Sequence, residues 1–171
     1  MTGFVIRPAR AGDLAALQGV ADAMGDRHEP NYFERCLQEQ EEGKRAILVC
    51  EGETDAVALS GYAQLNWQPL YAPFRRLSIP EIQDLNVIPS SRRQGLGEKL
   101  VHACEILAQA KSDTIGISVG MQAKFGPAQR LYVRLGYLPD GAGVCYDDVP
   151  CALGDGRLID DLLTLKLIKA F

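Results

Sequence analysis

Arg92-Arg93-Gln94-Gly95-Leu96-Gly97 is the stretch of this 171-residue sequence that decides the fold. It lies between a strand-like run, Glu81 to Ile88, and an amphipathic helix pattern that starts at Leu96. The first turn of a helix presents N–H groups without an acceptor in the helix, and the helix dipole adds positive potential there. Glycines allow close approach and arginines supply charge. The stretch therefore predicts a phosphate-binding loop, with an ordinary solvated glycine turn as the alternative.

The rest of the chain alternates between strand-like and helix-like patterns in the order β α α β β β α β α β β. Asp13 and Asn31 precede the first two helix patterns and are typical helix-capping residues. The stretch from Asn66 to Pro80 carries three prolines, which predicts a long loop. Strand patterns cover residues 4–7, 46–50, 56–65, 81–88, 114–119, 144–147 and 161–169, a turn covers 52–55, and the last helix pattern runs from Pro127 towards Gly136.

Two common phosphate motifs, GxxxxGK[ST] and GxGxxG, are missing from the sequence. Arg92-x-x-Gly95-x-Gly97 instead resembles the Q/R-x-x-G-x-G/A signature of the GCN5-related N-acetyltransferase (GNAT) superfamily, and Asp84 to Pro89 looks like that family's fourth strand. Residues 128–137 are similar to the family's later A-x-x-L-Y-x-x-x-G-[FY] motif. Phe125 stands where relatives often have Asn, which removes one side-chain contact with the cofactor. The resemblance covers nearly the whole chain.

This resemblance implies the fold class. We expect an α/β (α+β) fold formed by a single N-acetyltransferase domain over residues 1–171. Its central mixed, mostly antiparallel sheet should have about seven strands and be flanked by about four helices. The sheet should splay between strands four and five, where the family's cofactor inserts its pantetheine arm.

The same resemblance implies acetyl-CoA as cosubstrate and assigns residues to it. The main chain of the fourth strand, Leu85 to Val87, would hold the acetyl and pantetheine end, and the loop Arg92 to Gly97 would hold the pyrophosphate. The predicted cofactor-binding residues are Leu85, Asn86, Val87, Arg92, Arg93, Gln94, Gly95, Leu96, Gly97, Glu98 and Ala128.

Acyl transfer to an amine needs a neutral nucleophile, an oxyanion donor and a proton for the departing thiolate. Tyr132 matches the family tyrosine that acts as general acid, and its reference pKa of about 10 keeps it protonated at neutral pH. Glu81 lies where some relatives carry a catalytic glutamate, and strand alternation places it on one face while Asp84 points to the other. Glu81 is the predicted base, and an ordered water is the alternative. A main-chain N–H near Leu85 or Asn86 would stabilise the oxyanion.

Composition narrows the partners. The formal net charge of −4 disfavours nucleic acid and anionic membranes, and a nucleic-acid binder built on Arg92 and Arg93 is disfavoured for the same reason. The five cysteines form no CxxC pair, so no metal site is expected. No signal-peptide run or membrane-spanning run is found, so a cytoplasmic location is expected. A homodimer is consistent with the family.

The sequence therefore predicts an N-acetyltransferase that moves an acetyl group from acetyl-CoA to a primary amine, on a small molecule or a peptide, by direct attack in a ternary complex. The alternative is a noncatalytic acyl-CoA-binding sensor or interaction domain. The acceptor amine and the use of other acyl groups stay open, because a fold and a cofactor site do not determine them. Trp67, Tyr71 and Phe74 would either line part of the acceptor pocket or cover the core.

Overall fold

Eight strands and five α-helices form the part of the chain that the computed structural model describes, which is residues 3–26, 28–52 and 59–171. Their order is β α α β β α β α β α β β β. The predicted mixed α/β fold class is confirmed, with one strand and one helix more than expected. Two compact units are distinguished, one of residues 1–66 and 82–107 and the other of residues 67–81 and 108–171. The single domain over residues 1–171 and the splay between strands four and five stay predictions.

The first unit is built on the strand order β1-β2-β3-β4. The first three strands are antiparallel, with Ile6 opposite Cys50 and Leu48 opposite Ala63. Apolar side chains from the first two helices and from β2 and β3 form its core, among them Leu17, Phe33 and Ile47. The elements are β1 (Phe4–Pro8), α1 (Leu14–Met24), α2 (Tyr32–Glu41), β2 (Arg45–Gly52), β3 (Leu59–Asn66), β4 (Glu81–Val87) and α4 (Leu96–Gln109). Glu81, the first residue of β4, and the last two residues of α4 belong to the second unit.

The two predicted helix caps are placed correctly but do not cap with their side chains. Asp13 precedes α1, yet its carboxylate accepts hydrogen bonds from the Arg7 guanidinium at 2.7 and 2.8 Å and from the Arg10 N–H at 2.7 Å. Asn31 precedes α2 in the left-handed conformation and makes no side-chain cap. The arginine competes for the oxygens that would otherwise accept from the helix.

The second unit has the strand order β5-β8-β6-β7, and its strands are antiparallel. Tyr71, Phe74, Ile79 and Cys145 form a small core. The elements are α3 (Ala72–Arg76), β5 (Thr114–Gly120), α5 (Gly126–Arg134), β6 (Leu138–Tyr146), β7 (Val149–Pro150) and β8 (Leu163–Ala170).

Sequence patterns missed short or interrupted elements in the second unit. The long loop predicted between Asn66 and Pro80 contains α3, a five-residue helix with proline in its first turn. Strand β6 starts at Leu138, six residues before the predicted start, because its register shifts between Pro139 and Val144 and interrupts the strand pattern. The predicted turn over 52–55 and the start of the following strand fall mostly outside the described residues.

Candidate functional site

The connection between β4 and α4 is tied back onto the first unit. The Ile88 N–H donates to the Ser60 carbonyl at 3.0 Å, and residues 89–91 form one 3₁₀ turn. The Arg92 Nε donates to the Val87 carbonyl at 3.0 Å, so this arginine closes the end of β4. The predicted phosphate loop therefore starts from a fixed position.

The loop then turns into α4 through left-handed backbone. Arg93 has φ 62° and Gly95 has φ 77°, and the Gly95 carbonyl accepts from the Lys99 N–H at 3.0 Å to start the helix. Glycine adopts this conformation without the penalty that a Cβ brings. The side chains of Arg92, Arg93 and Gln94 are exposed. Exposed cationic side chains beside the first N–H groups of a 14-residue helix suit an anionic ligand.

The first turn of α4 divides into a buried and a polar part. Leu96 is buried in the first unit and Gly97 is half-buried. The Glu98 carboxylate lies 3.8 Å from Nε2 of His102, whose Nδ1 lies 2.9 Å from Glu105. A carboxylate repels phosphate, so a cofactor contact of Glu98 would have to use its backbone N–H.

The end of β4 offers its main chain rather than its side chains. Asn86 is buried, and its Nδ2 donates to the Tyr62 hydroxyl at 3.0 Å. A Cβ on Gly61 of β3 would overlap the carbonyl oxygen of Asn86 and press on Val87. At Gly61, β3 and β4 therefore lie closer together than a residue with a side chain would allow. Leu85 and Val87 are half-buried.

Tyr132 and Ala128, the remaining residues of the predicted donor and acid set, lie on α5 in the second unit. The Tyr132 side chain is buried, and burial raises its pKa, which keeps the hydroxyl protonated. Every fully enclosed side-chain polar atom in the described chain has a hydrogen-bond partner. Since the Tyr132 hydroxyl has no partner among the described residues, it is open to solvent or a ligand.

Phe125, the departure from the family pattern, has a packing role. Its ring occupies the space where Gly120 at the end of β5 lacks a side chain, so a Cβ there would overlap the ring. Gln129 Nε2 donates to the Gly120 carbonyl at 2.9 Å. These two contacts fix the start of α5 on β5, in place of a polar side chain at position 125.

Glu81, the predicted base, is bound into an ion-pair network of the second unit. Its side chain is 0% exposed, and its Oε1 accepts from Lys166 Nζ at 2.7 Å and from the Ser118 hydroxyl at 2.6 Å. Lys166 also donates to Asp148, which is 27% exposed. Burial lowers the pKa of Lys166, while the charges of Glu81 and Asp148 raise it, and the net direction is upward. This arrangement fixes both charges in place.

A second carboxylate on β4, Asp84, lies in a separate polar network of the first unit. The Tyr32 hydroxyl donates to Asp84 Oδ2, and Gln64 Nε2 donates to the same oxygen at 2.9 Å. Burial and the Asp84 charge raise the pKa of Tyr32. Sequence reasoning assigned Asp84 no role. The only sequence signal was the strand alternation, which places Asp84 on the face opposite Glu81. The φ of 48° at Asp84 could not be predicted from the residue type.

The aromatic residues of the predicted loop belong mainly to the core. Tyr71 and Phe74 are buried, with ring centroids 4.9 Å apart, and the Tyr71 hydroxyl donates to Asp140 at 2.7 Å. Trp67 is half-buried, with Lys111 Nζ 4.1 Å from its ring centroid. Covering the core is therefore the role that the structure gives Tyr71 and Phe74.

Two features that would indicate a metal or a membrane partner are missing from the described ranges. Residues 3–26, 28–52 and 59–171 hold no group of three or more His, Cys, Asp or Glu side chains placed to bind a metal ion. Among those residues, no helix is long and apolar enough to cross a bilayer.

Comparison with known proteins decides the family. Residues 43–139, which include the β4–α4 connection and Tyr132, match the family model described as an acetyltransferase (GNAT) domain. The chain belongs to the GNAT family and is an acetyltransferase. A comparison with curated proteins gives no match.

Solved GNAT acetyltransferases share the fold at low identity. NAA60 from Arabidopsis thaliana, solved with acetyl-CoA, is 15% identical with TM-score 0.73, covering 98% of each chain. A ribosomal-protein-alanine N-acetyltransferase from Brucella melitensis is 18% identical with TM-score 0.71, covering 98% of this chain and 99% of that one. A spermidine N-acetyltransferase chimera from Vibrio cholerae and hSSAT is 14% identical with TM-score 0.69, covering 98% of this chain and 95% of that one.

Proposed function

We propose that this GNAT protein is an N-acetyltransferase that transfers the acetyl group of acetyl-CoA to a primary amine by direct attack in a ternary complex. The observation that carries the proposal is the GNAT match over residues 43–139. The NAA60 structure contains acetyl-CoA, which supports the same cosubstrate here. Primary amines as acceptors are supported by the names of the Brucella and Vibrio relatives, one acting on a protein alanine and the other on spermidine. A cytoplasmic location and a homodimer remain predictions.

The cofactor would be held mostly by backbone groups of the first unit. The main chain of Leu85 to Val87 would hold the acetyl and pantetheine end, and one of its N–H groups would donate to the oxyanion. The loop from Arg92 to Gly97 would take the pyrophosphate, because its left-handed turn leads into the first N–H groups of α4. Glu98 and Ala128 complete the proposed set through their backbones, and no metal is required.

In the proposed step, the neutral amine nitrogen attacks the thioester carbonyl carbon, so that a C–N bond forms and the C–S bond breaks. The nitrogen loses its extra proton to water, the leaving thiolate takes a proton from Tyr132, and Tyr132 is reprotonated by solvent. A thiol has a pKa of about 8.5, so the raised pKa of Tyr132 makes this transfer uphill. The free energy released by the completed acyl transfer must drive this proton transfer. The Tyr132 hydroxyl donates a hydrogen bond to the sulfur as negative charge develops on it.

For the base we propose an ordered water rather than Glu81. A general base must reach the amine proton, directly or through one water. Glu81 is fully buried and its Oε1 is bound to Lys166 and Ser118. We propose that Glu81 instead fixes β8 to the start of β4 within the second unit.

The test is a turnover assay for release of CoA from acetyl-CoA with spermidine, L-lysine, kanamycin and a peptide that begins with alanine. We expect turnover with at least one amine, and a fall in kcat of about 100-fold in Tyr132→Phe, the lower end of the usual general-acid contribution.

Tyr146→Phe is the matched control, because Tyr146 lies in the same unit and its hydroxyl donates to Asp160. Full activity of Tyr132→Phe with chemistry rate-limiting would contradict the acid role. Binding of acetyl-CoA without turnover of any amine would favour a noncatalytic sensor.

A further inference from the structure

Gln64 lies at the centre of a polar network in the first unit, the Asp84 network, which links the side chains of Glu39, Arg45, Gln64, Tyr32 and Asp84. Gln64 is fully buried, and its Oε1 accepts from Arg45 Nη1 at 2.7 Å. Its Nε2 donates to Asp84 at 2.9 Å and to the Tyr32 hydroxyl at 3.0 Å. Tyr32 in turn donates to Asp84. The orientation of the Gln64 amide is thus fixed, and two donors point at one oxygen of Asp84.

The positive charge of Arg45 in this network is paired with a carboxylate, whereas the negative charge of Asp84 is not paired with a cation of the described chain. Arg45 forms an ion pair with Glu39, Nε to Oε2 at 2.8 Å, so its charge is neutralised there. Asp84 accepts only from neutral donors, and its carboxylate forms no ion pair with a residue of the described chain. A half-buried carboxylate in these surroundings gains from a cationic partner, since the attraction between charges increases as water is removed.

The backbone at Asp84 is also unusual. Its φ of 48° places an aspartate within β4 in the left-handed region, which costs free energy for any residue with a side chain. The Tyr32 and Gln64 hydrogen bonds offset this cost and hold the carboxylate in one position. Asp84 directly precedes Leu85, the first residue whose main chain we assign to the acetyl end of the cofactor.

His28 and Tyr32 add an aromatic wall beside the carboxylate. Their rings are stacked with centroids 4.0 Å apart and planes 4° apart, and both side chains are half-buried. His28 Nε2 lies 3.5 Å from the Tyr62 hydroxyl, which accepts from Asn86. The wall is therefore polar at its edge and suits a hydrophilic ligand.

We propose that Asp84 binds the ammonium group of the acceptor, with Tyr32 and Gln64 holding its carboxylate and the His28–Tyr32 stack forming the adjoining wall. The site takes a protonated aliphatic amine beside the acetyl end of the cofactor, and the ammonium passes one proton to water before the neutral nitrogen attacks the thioester carbonyl carbon. This inference rests on the acetyltransferase function proposed above.

The experiment compares the wild type with Asp84→Asn, Tyr32→Phe and Glu34→Gln, using whichever of the four panel amines has the highest kcat/KM. Asp84→Asn should raise the KM for that amine at least tenfold, because a charge-assisted contact is lost, and should change the Kd of acetyl-CoA less than twofold. Tyr32→Phe keeps the carboxylate charge and should raise the KM only a few-fold. Glu34→Gln removes an exposed charge from the same helix as Tyr32 and should leave the KM unchanged.

The backbone conformation of Asp84 provides a second variant. Asp84→Gly removes the carboxylate while keeping a residue that accepts positive φ, so it should fold and show the same rise in KM. Wild-type turnover with unchanged KM in Asp84→Asn, or in Asp84→Gly if only that variant folds, overturns the ammonium site and leaves the acetyltransferase function standing. Absence of wild-type turnover with all four amines overturns both.

Discussion

Strand β4 carries two carboxylates three residues apart, and the two have different kinds of hydrogen-bonding partner. Glu81, in the second unit, is 0% exposed and pairs with Lys166, itself 1% exposed. Asp84, in the first unit, is half-buried and accepts from a tyrosine and a glutamine. One negative charge is neutralised by a buried cation and the other is not.

This difference separates a carboxylate that stabilises the fold from one available to a ligand. A buried ion pair that loses one partner leaves an isolated charge in a medium of low dielectric, so both partners of the Glu81 pair depend on each other. A carboxylate held by neutral donors keeps its capacity to attract a cation.

Lys166→Met should destabilise the protein most. The substitution keeps the length of the side chain but leaves the Glu81 charge buried without the Lys166 ammonium, and the expected loss in the free energy of unfolding is about 3–5 kcal/mol. Urea denaturation measures it. Lys124→Met is the control, because Lys124 pairs with Asp161 on the surface of the same unit, with 55% and 62% of the side chains exposed, and should lose much less.

The double variant Glu81→Leu with Lys166→Met should recover much of that loss, since it leaves no buried unpaired ion, and Asp148, which also loses Lys166, is 27% exposed. Equal losses in the single and double variants would show that packing, including the position of Lys166 Nζ 5.1 Å from the Tyr71 ring centroid, matters more than charge.

The same ion pair predicts a stability limit at high pH. Because the pKa of Lys166 is raised in the folded protein, its stabilising contribution is complete below the pKa of an unfolded lysine, about 10.4, and is lost as the pH rises through the folded value. The wild type should therefore lose stability relative to Lys166→Met above about pH 10.4. Urea denaturation of both proteins from pH 7 to 11 measures the difference, and parallel curves would contradict the pairing.

Gly61→Ala tests whether the Asp84 part of β4 depends on a close approach of backbones. The new methyl group would overlap the Asn86 carbonyl oxygen, so the free energy of unfolding should fall by about 1–3 kcal/mol. Gly19→Ala is the opposite control. Gly19 lies in α1 with open space around it, and alanine there should stabilise by about 0.5–1 kcal/mol. A loss in both variants would indicate a general intolerance of substitution.

The sequence predicted the order of long elements because their periodic patterns are local. It predicted the β4–α4 connection for the same reason, since glycine and arginine positions in one short stretch define it. The partners of the two carboxylates are not local. Lys166 is 85 residues from Glu81, and Tyr32 is 52 residues from Asp84.

Alternation along a strand therefore indicated that Glu81 and Asp84 face different ways, but not which of them would meet a cation. The left-handed backbone at Asp84 was equally hidden, because few non-glycine residues within a strand adopt it and the local sequence does not mark which ones do. Short elements such as α3 and β7 were missed because five residues or fewer give no usable period.

Asp84→Asn should change stability least, by less than about 1 kcal/mol. Asparagine tolerates the left-handed region at least as well as aspartate, and its amide oxygen can still accept from Tyr32. Glu81→Gln makes the same isosteric change on the same strand, yet it leaves Lys166 with Asp148 alone and should cost several times more. Urea denaturation of the two variants together decides the matter. If Asp84→Asn is the more damaging of the two, the Asp84 network is structural, and the division between a carboxylate for the fold and one for a ligand is wrong.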